Sequence, residues 1–312
     1  MKPLRADAIR GVWGTVLLPI TGDDGIDLGR LDAEVDALIE AGVAGLYTNG
    51  TAGEFHTQSE AEFDAVSARV AARCEAAGMP FQIGASEMSP QRSLERVRRA
   101  RALAPSAIQV ILPDWVSPTL DEATVFLERI AAAADPIGLV LYNPPHAKKV
   151  LDPAALATLA RRVPAIVGVK VLDGGPSWYG ALRAALASLP RGLSVFVPGH
   201  HSATGALAGA HGSYSNVACL SPRGSVRWWA MTAQDPVRAL DIERRLIDFF
   251  AAHISPLGAQ GYSNPALDKT LAALGGWADI GLRLRWPYRA VPIELVDSLR
   301  PLIRAAVPEL FT

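Results

Sequence analysis

Eight short runs of aliphatic and β-branched residues recur along the first two thirds of the chain, each followed by an amphipathic stretch rich in Ala, Leu and Arg. That alternation constrains the fold more than any other feature, because parallel strands need a crossover of a dozen or more residues, usually a helix. The runs are Trp13–Leu18, Gly45–Asn49, Phe81–Gly84, Ile108–Leu112, Leu139–Asn143, Ile166–Lys170, Ser194–Pro198 and Ser213–Asn216. Eight successive βα units predict an α/β fold closed as a (β/α)8 TIM barrel rather than an open sheet. From Ser221 the strand pattern stops, and Val226–Ala233, Pro236–Ala252, Asn264–Leu274 and Pro292–Ala306 read as helices. We therefore expect a barrel over residues 1–220 and a C-terminal helical extension over 221–312 packed on it. Helix starts agree with this division: Thr57-Gln58-Ser59-Glu60 has the capping-box form, and Asp27, Ser89, Thr119 and Asp152 precede periodic apolar segments.

Composition narrows the partners. Thirty Lys and Arg against thirty-one Asp and Glu give a net charge of −1, so no molecular field draws the protein to phosphate backbones and nucleic acid is not an expected partner. No apolar run approaches the roughly 20 residues that span a bilayer, and the start MKPLRADAIRG lacks a secretory apolar stretch, which predicts a cytoplasmic protein without a membrane partner. Cys74 and Cys219 lie far apart without metal-type spacing and read as buried thiols.

In a barrel of this kind the active site lies at the C-terminal ends of the strands. Strand five ends Val140-Leu141-Tyr142-Asn143 and strand six ends Val167-Gly168-Val169-Lys170, which puts a Tyr and a Lys at matching heights on neighbouring strands. Side chains alternate along a strand, so Val140 and Tyr142 share one face, as do Gly168 and Lys170. If those faces point inward, both side chains meet at the barrel mouth. Burial disfavours the ammonium form, and a neutral amine is the form that attacks a carbonyl. Taken alone, a strand-end Lys is more often salt-bridged, and a strand-end Tyr is more often a core aromatic. After strand two, Asn49-Gly50-Thr51-Ala52-Gly53-Glu54 has paired glycines that let backbone N–H groups converge on an anion such as a carboxylate. Thr51 adds a hydroxyl able to relay a proton.

Together, Gly50-Thr51-Ala52-Gly53-Glu54, Tyr142-Asn143-Pro144-Pro145 and Gly168-Val169-Lys170, in that order and spacing, resemble the dihydrodipicolinate synthase / N-acetylneuraminate lyase family. The likeness extends from Gly11-Val12-Trp13-Gly14-Thr15 to Gly209-Ala210-His211-Gly212 and the helical extension. It implies a class I mechanism in which Lys170 forms an imine with a small 2-oxo acid, Tyr142 is general acid and base, and Thr51 with the Ala52 N–H holds the carboxylate beside Gly50. It requires no metal and no organic cofactor, and it implies a homotetramer built as a dimer of dimers.

The departures from that family concern the substrate. The synthase branch resembles Tyr-Asn-x-Pro-x-Arg, whose Arg grips a second carboxylate, whereas here Pro145 is followed by His146 and Ala147. Trp115 stands where synthases lend a tyrosine across a subunit interface. Both changes point away from lysine biosynthesis. Gly199-His200-His201 follows strand seven in place of the lyase branch's acidic residues, so Trp115, His146, Gly199, His200, His201 and Tyr214 are the candidate substrate-binding residues. His56, His211 and His253 read as structural. The leading expectation is a pyruvate-type aldolase or a 2-keto-3-deoxy acid dehydratase. One alternative is a metal-assisted lyase using His200, His201 and His211. Another is a non-catalytic protein that binds a 2-oxo acid.

Overall fold

A computed structural model of the chain describes residues 1–171, 175–187, 189, 191–214 and 216–312, with Pro176 as backbone only. Eight strands form one closed parallel barrel in sequence order: β1 (Gly11–Thr15), β2 (Gly45–Thr48), β3 (Phe81–Gly84), β4 (Ala107–Val110), β5 (Leu139–Tyr142), β6 (Ile166–Lys170), β7 (Ser194–Pro198) and β8 (Gly212–Tyr214). The expected strands and the observed ones coincide for β3, β6 and β7. The first differs most: it begins at Gly11 and ends at Thr15, so Val16 to Leu18 belong to the loop above the barrel. Ser215, inside the eighth expected run, lies outside the described residues.

The crossovers are α1 (Leu28–Glu40), α2 (Glu60–Ala77), α3 (Pro90–Ala102), α4 (Leu120–Ala134), α5 (Pro153–Arg162), α6 (Gly175–Leu186) and α7 (Ser202–Leu207). Beyond β8 come α8 (Asn216–Leu220), α9 (Pro222–Gln234), α10 (Pro236–Phe249), α11 (Ser255–Ala259), α12 (Asn264–Gly275) and α13 (Ile293–Ala306). Local capping explains the helix starts. Asp27 accepts from Gly29 and Arg30 N–H, Asp152 accepts from Ala155 N–H, and Thr119 pairs with Glu122 in a capping box. The capping box of α2 is Ser59 with Glu62, not Thr57 with Glu60, because helical geometry begins only after Ser59. At its C-terminal end α10 passes into a π-turn over Phe250–Ile254.

Two apolar layers hold the molecule together. One lies between barrel and crossover helices, and runs from Val35 and Leu38 of α1 through Phe63, Leu127 and Leu159 to Val197. The other joins Leu17, Ala52, Val217 and Leu220 of the barrel mouth to Trp228, Leu246, Phe249, Leu271 and Ile303 of the extension. Burying each large apolar side chain contributes roughly 1.5–3 kcal/mol, so the second layer fixes the extension over the strand ends. The barrel interior is aromatic, with Trp13, Tyr47, Phe196 and Tyr214 packed around Val140. Trp13 fits because its β2 neighbour is Gly45, where a Cβ would come within 2.8 Å of the indole. Both cysteines are free and buried. Among the described residues no helix is long and apolar enough to cross a membrane.

Candidate active site

The ladder between β5 and β6 pairs Tyr142 with Lys170. A shared inward face brings the Lys170 Nζ to 4.2 Å from the centroid of the Tyr142 ring. Two further phenols complete the surround, with ring centroids 4.9 Å (Tyr47) and 5.1 Å (Tyr214) from the same nitrogen. The Tyr47 hydroxyl oxygen accepts a hydrogen bond from Nζ at 3.3 Å. Among the described residues no carboxylate forms an ion pair with Lys170. Burial therefore dominates and lowers the amine to about 8, with the charges of Asp268 and Cys219 pulling the other way. Tyr142 is pushed up to about 12 by burial, against the Thr51 side chain, which draws it down.

Thr51 sits in the loop between β2 and α2, whose path is set by left-handed backbone at Asn49 (φ 55°) and Glu54 (φ 50°). The loop closes on itself through Glu54 N–H to the Thr51 carbonyl and Phe55 N–H to the Gly50 carbonyl. The N–H groups of Thr51 and Ala52 donate to no acceptor among the described residues, so they remain available to an anion. Three contacts anchor the loop. Asn49 donates to Ser67 at 2.9 Å, Gln58 donates to the Gly53 carbonyl at 2.9 Å, and the Lys269 ammonium of α12 pairs with Glu54 at 2.6 Å. Lys269 and Glu54 are both fully buried. Breaking such a pair leaves one charge bare, so Lys269→Met should lower folding stability by about 3–5 kcal/mol, read as an earlier urea midpoint. An unchanged midpoint would show that the pair does not anchor the loop.

Above Thr51 and Tyr142 opens a cavity of about 370 Å³. Its walls are largely apolar, with Phe55, Met88, Leu112, Pro113, Pro144 and Pro265, and its polar groups include His56, His146, Asp114, Asn264 and Tyr288. Lys170 does not line it directly; the amine lies against the Tyr142 ring. His56 stacks edge-on to Tyr288 with centroids 5.1 Å apart. Burial lowers His56, as does the neighbouring His146. His146 is lowered by burial and by Lys170, against Asp114. Both imidazoles are therefore neutral at pH 7. From α12, Asn264 lines the cavity and donates to Asp268 at 2.6 Å. Burial raises Asp268 to about 7 in the face of Lys170 and Asn264, which lower it.

Of the residues expected from sequence, Lys170, Tyr142, Thr51, Ala52 and Gly50 converge here, and His146 reaches the cavity. Tyr214 stands deeper, its hydroxyl bonded to Gln82 at 2.7 Å. Trp115 does not line the cavity. It is 72% exposed, with the Lys148 ammonium 4.7 Å above its ring. Gly199, His200 and His201 also do not line the cavity; β7 passes at once into a 3-10 turn over them. The His200 Nδ1 is 2.9 Å from Asn216 Nδ2, and its ring meets Phe250 at 5.7 Å. His201 faces Glu243 at 4.0 Å, while the His211 Nδ1 accepts from Val195 N–H. The His200 and His201 rings lie against each other, with centroids 4.3 Å apart, while His211 bonds the backbone of β7. Among the described residues no three His, Cys, Asp or Glu side chains are placed to hold a metal ion.

Sequence reasoning missed four residues: Tyr47, His56, Asn264 and Asp268. The parity rule that selects Tyr142 would also have turned Tyr47 inward with Gly45. Asp268-Lys269 is a charged pair inside the otherwise apolar run Pro265–Leu274, and such a pair points to buried partners.

The sequence profile described as the Dihydrodipicolinate synthetase family matches residues 8–301. A 4-hydroxy-tetrahydrodipicolinate synthase of Sorangium cellulosum is 32% identical over 53% of this chain, which spans 55% of that protein. A trans-O-hydroxybenzylidenepyruvate hydratase-aldolase of Sphingobium xenophagum is 27% identical over 96% of this chain and 93% of its own length. Among solved structures, a prophage protein of the dihydrodipicolinic acid synthase family from E. coli K12, in complex with pyruvate, superposes with a TM-score of 0.84. It is 21% identical, and the match covers 96% of this chain and 98% of that one. That likeness is one of fold.

Proposed function

The chain belongs to the dihydrodipicolinate synthetase family and is a lyase by class, and we propose that it acts on a 2-oxo acid through an imine on Lys170. The observation that carries this reading is an amine with no ion-pair partner among the described residues, drawn down to about 8 and set 4.2 Å from the ring of a protonated phenol. At pH 7 that displacement multiplies the neutral amine by roughly 300-fold over a lysine at 10.5.

The steps follow from the groups present. A 2-oxo acid approaches along Tyr142, its carboxylate on Thr51 and the N–H groups of Thr51 and Ala52. The Lys170 lone pair forms a bond to C2, and the carbonyl oxygen takes the Tyr142 proton. The nitrogen, cationic after the attack, gives one of its two protons to the Tyr142 phenolate, which passes it, directly or through Thr51, to that oxygen; water leaves and the nitrogen keeps one N–H. The resulting iminium accepts the electron pair of the C3–H or C3–C4 bond, so no free carbanion forms. Tyr142 then exchanges protons with C3 or with the departing oxygen.

We read the second substrate as uncharged. Among the described residues no arginine lines the cavity, Lys149 is its single cation, and Asp114 disfavours a distal carboxylate. Apolar walls with two neutral imidazoles suit an aldehyde carrying hydroxyl or ring substituents. The relative named as a hydratase-aldolase is consistent with that class, and the missing arginine separates it from 4-hydroxy-tetrahydrodipicolinate synthesis.

Borohydride with pyruvate tests the reading: the mass of one reduced pyruvate should appear on the Lys170 peptide. No adduct with pyruvate or longer 2-oxo acids would remove the mechanism. The pH profile gives a second check. The ammonium is the inactive form, so the trapping rate should fall tenfold per pH unit below about 8 and level off above it. A profile flat from pH 6 to 9 would contradict an unprotonated nucleophile.

A further inference from the structure

Three phenols surround the Lys170 amine, and only one of them offers it an oxygen. Tyr142 presents the face of its ring, and the Tyr214 hydroxyl donates to Gln82 at 2.7 Å. Tyr47, reaching across from β2, has its oxygen 3.3 Å from Nζ. Among the described residues it is the hydrogen-bond acceptor of that amine. We propose that Tyr47 is a catalytic residue that orients the free amine and then holds the remaining N–H of the protonated imine. The proposal rests on the imine reading of Lys170.

Tyr47 is held from several sides, as an orienting group must be. Its ring meets Tyr214 edge-on, with centroids 4.8 Å apart at 82°. Gly50 of the anion loop leaves room for it, since a Cβ there would come within 2.9 Å of Tyr47 Cε2. Burial keeps the phenol neutral by raising it well above its usual value, against the Thr15 side chain at the end of β1, which draws it down. One ring thus connects the loop that takes the carboxylate to the nitrogen that takes the carbonyl carbon.

The chemistry gives this contact a use at both ends of the reaction. A neutral amine has two hydrogens and one lone pair, so committing one hydrogen to Tyr47 restricts where the lone pair points. After C–N bond formation and loss of water, the protonated imine keeps a single N–H and no lone pair. That hydrogen carries much of the new positive charge, and it faces the oxygen already in place. Tyr47 transfers no proton in this scheme. It favours the cationic nitrogen, as an acceptor does for any charged donor.

Tyr47→Phe removes the oxygen and keeps the ring. Exchange of the pyruvate methyl hydrogens for deuterium, followed by NMR, reads imine and enamine formation without an aldehyde. We expect kcat for exchange to fall about 10- to 100-fold, the range for losing a hydrogen bond to a charged group, while KM for pyruvate changes less. Among the described residues the titratable groups that act on the amine are Tyr47, Tyr142, Tyr214, Cys219, Asp268 and His146. With the Tyr47 oxygen gone and the others unchanged, the midpoint of the borohydride-trapping profile should move to lower pH than in the wild type. The reduced adduct should still form on Lys170. If kcat and midpoint both match the wild type in a variant that melts at the wild-type temperature, Tyr47 has no such role. Thr15→Val leaves the ring in place and loosens the hydroxyl, and it should shift both quantities the same way by less. Should Tyr47→Phe not fold, an unchanged rate and midpoint in Thr15→Val would overturn the proposal. Absence of any adduct in the wild type would instead defeat the imine reading itself.

Discussion

Lys170→Ala should lower deuterium exchange into pyruvate by roughly 10⁵- to 10⁶-fold, the scale of loss when a covalent nucleophile is removed from a site otherwise intact. Without the amine, C2 stays a carbonyl, and nothing beside it accepts the electrons of the C3–H bond. Lys170→Arg should be equally inactive although it keeps the positive charge, because a guanidinium does not release a proton in this pH range and has no lone pair to offer. The pair of variants separates charge from nucleophilicity. Neither substitution breaks an ion pair among the described residues, so both proteins should remain folded by circular dichroism. Exchange within tenfold of the wild type in Lys170→Arg would mean that the cation, not the amine, is what the site uses.

Tyr142→Phe should cost about 10²- to 10⁴-fold in the same assay, the contribution of a positioned acid and base. The ring that packs on the amine is retained, so the loss isolates the hydroxyl. Pyruvate should still be trapped on Lys170 after long incubation, because imine formation proceeds slowly with water as the proton source. Slow trapping together with near-absent exchange would assign the phenol to the proton steps. A loss of less than about fivefold would point to a different acid.

Much of this was readable in the sequence, for identifiable reasons. Short aliphatic and β-branched runs separated by helix-length segments define a barrel almost without side-chain detail, and β3, β6 and β7 fall where they were expected. The first strand ends early because Val16 N–H still reaches the Tyr47 carbonyl of β2, whereas Leu17 N–H turns to the Glu34 carboxylate and leaves the ladder. Lys170 and Tyr142 stand side by side, as strand parity predicts, because register acts within one element and its neighbour. His200 and His201 satisfied the strand-end rule, and it failed for them because the chain turns into a 3-10 helix directly after Pro198 and packs against Phe250 and Glu243. The contributions of α12 depend on how the extension docks, which no local pattern encodes. His56 was set aside as structural, yet the turn after Glu54 brings it to the cavity rim.

The buried link between Glu54 and Lys269 also sets an order of events. During synthesis the amine, the phenol and the anion loop all leave the ribosome before Lys269 does. A nascent chain paused after β8 would possess every reacting atom while Glu54 still lacked the cation that neutralises it. Until α12 arrived, the loop would be held by the Asn49–Ser67 and Gln58–Gly53 contacts alone. The proposed imine chemistry would then wait on α12, although all eight strands were already made.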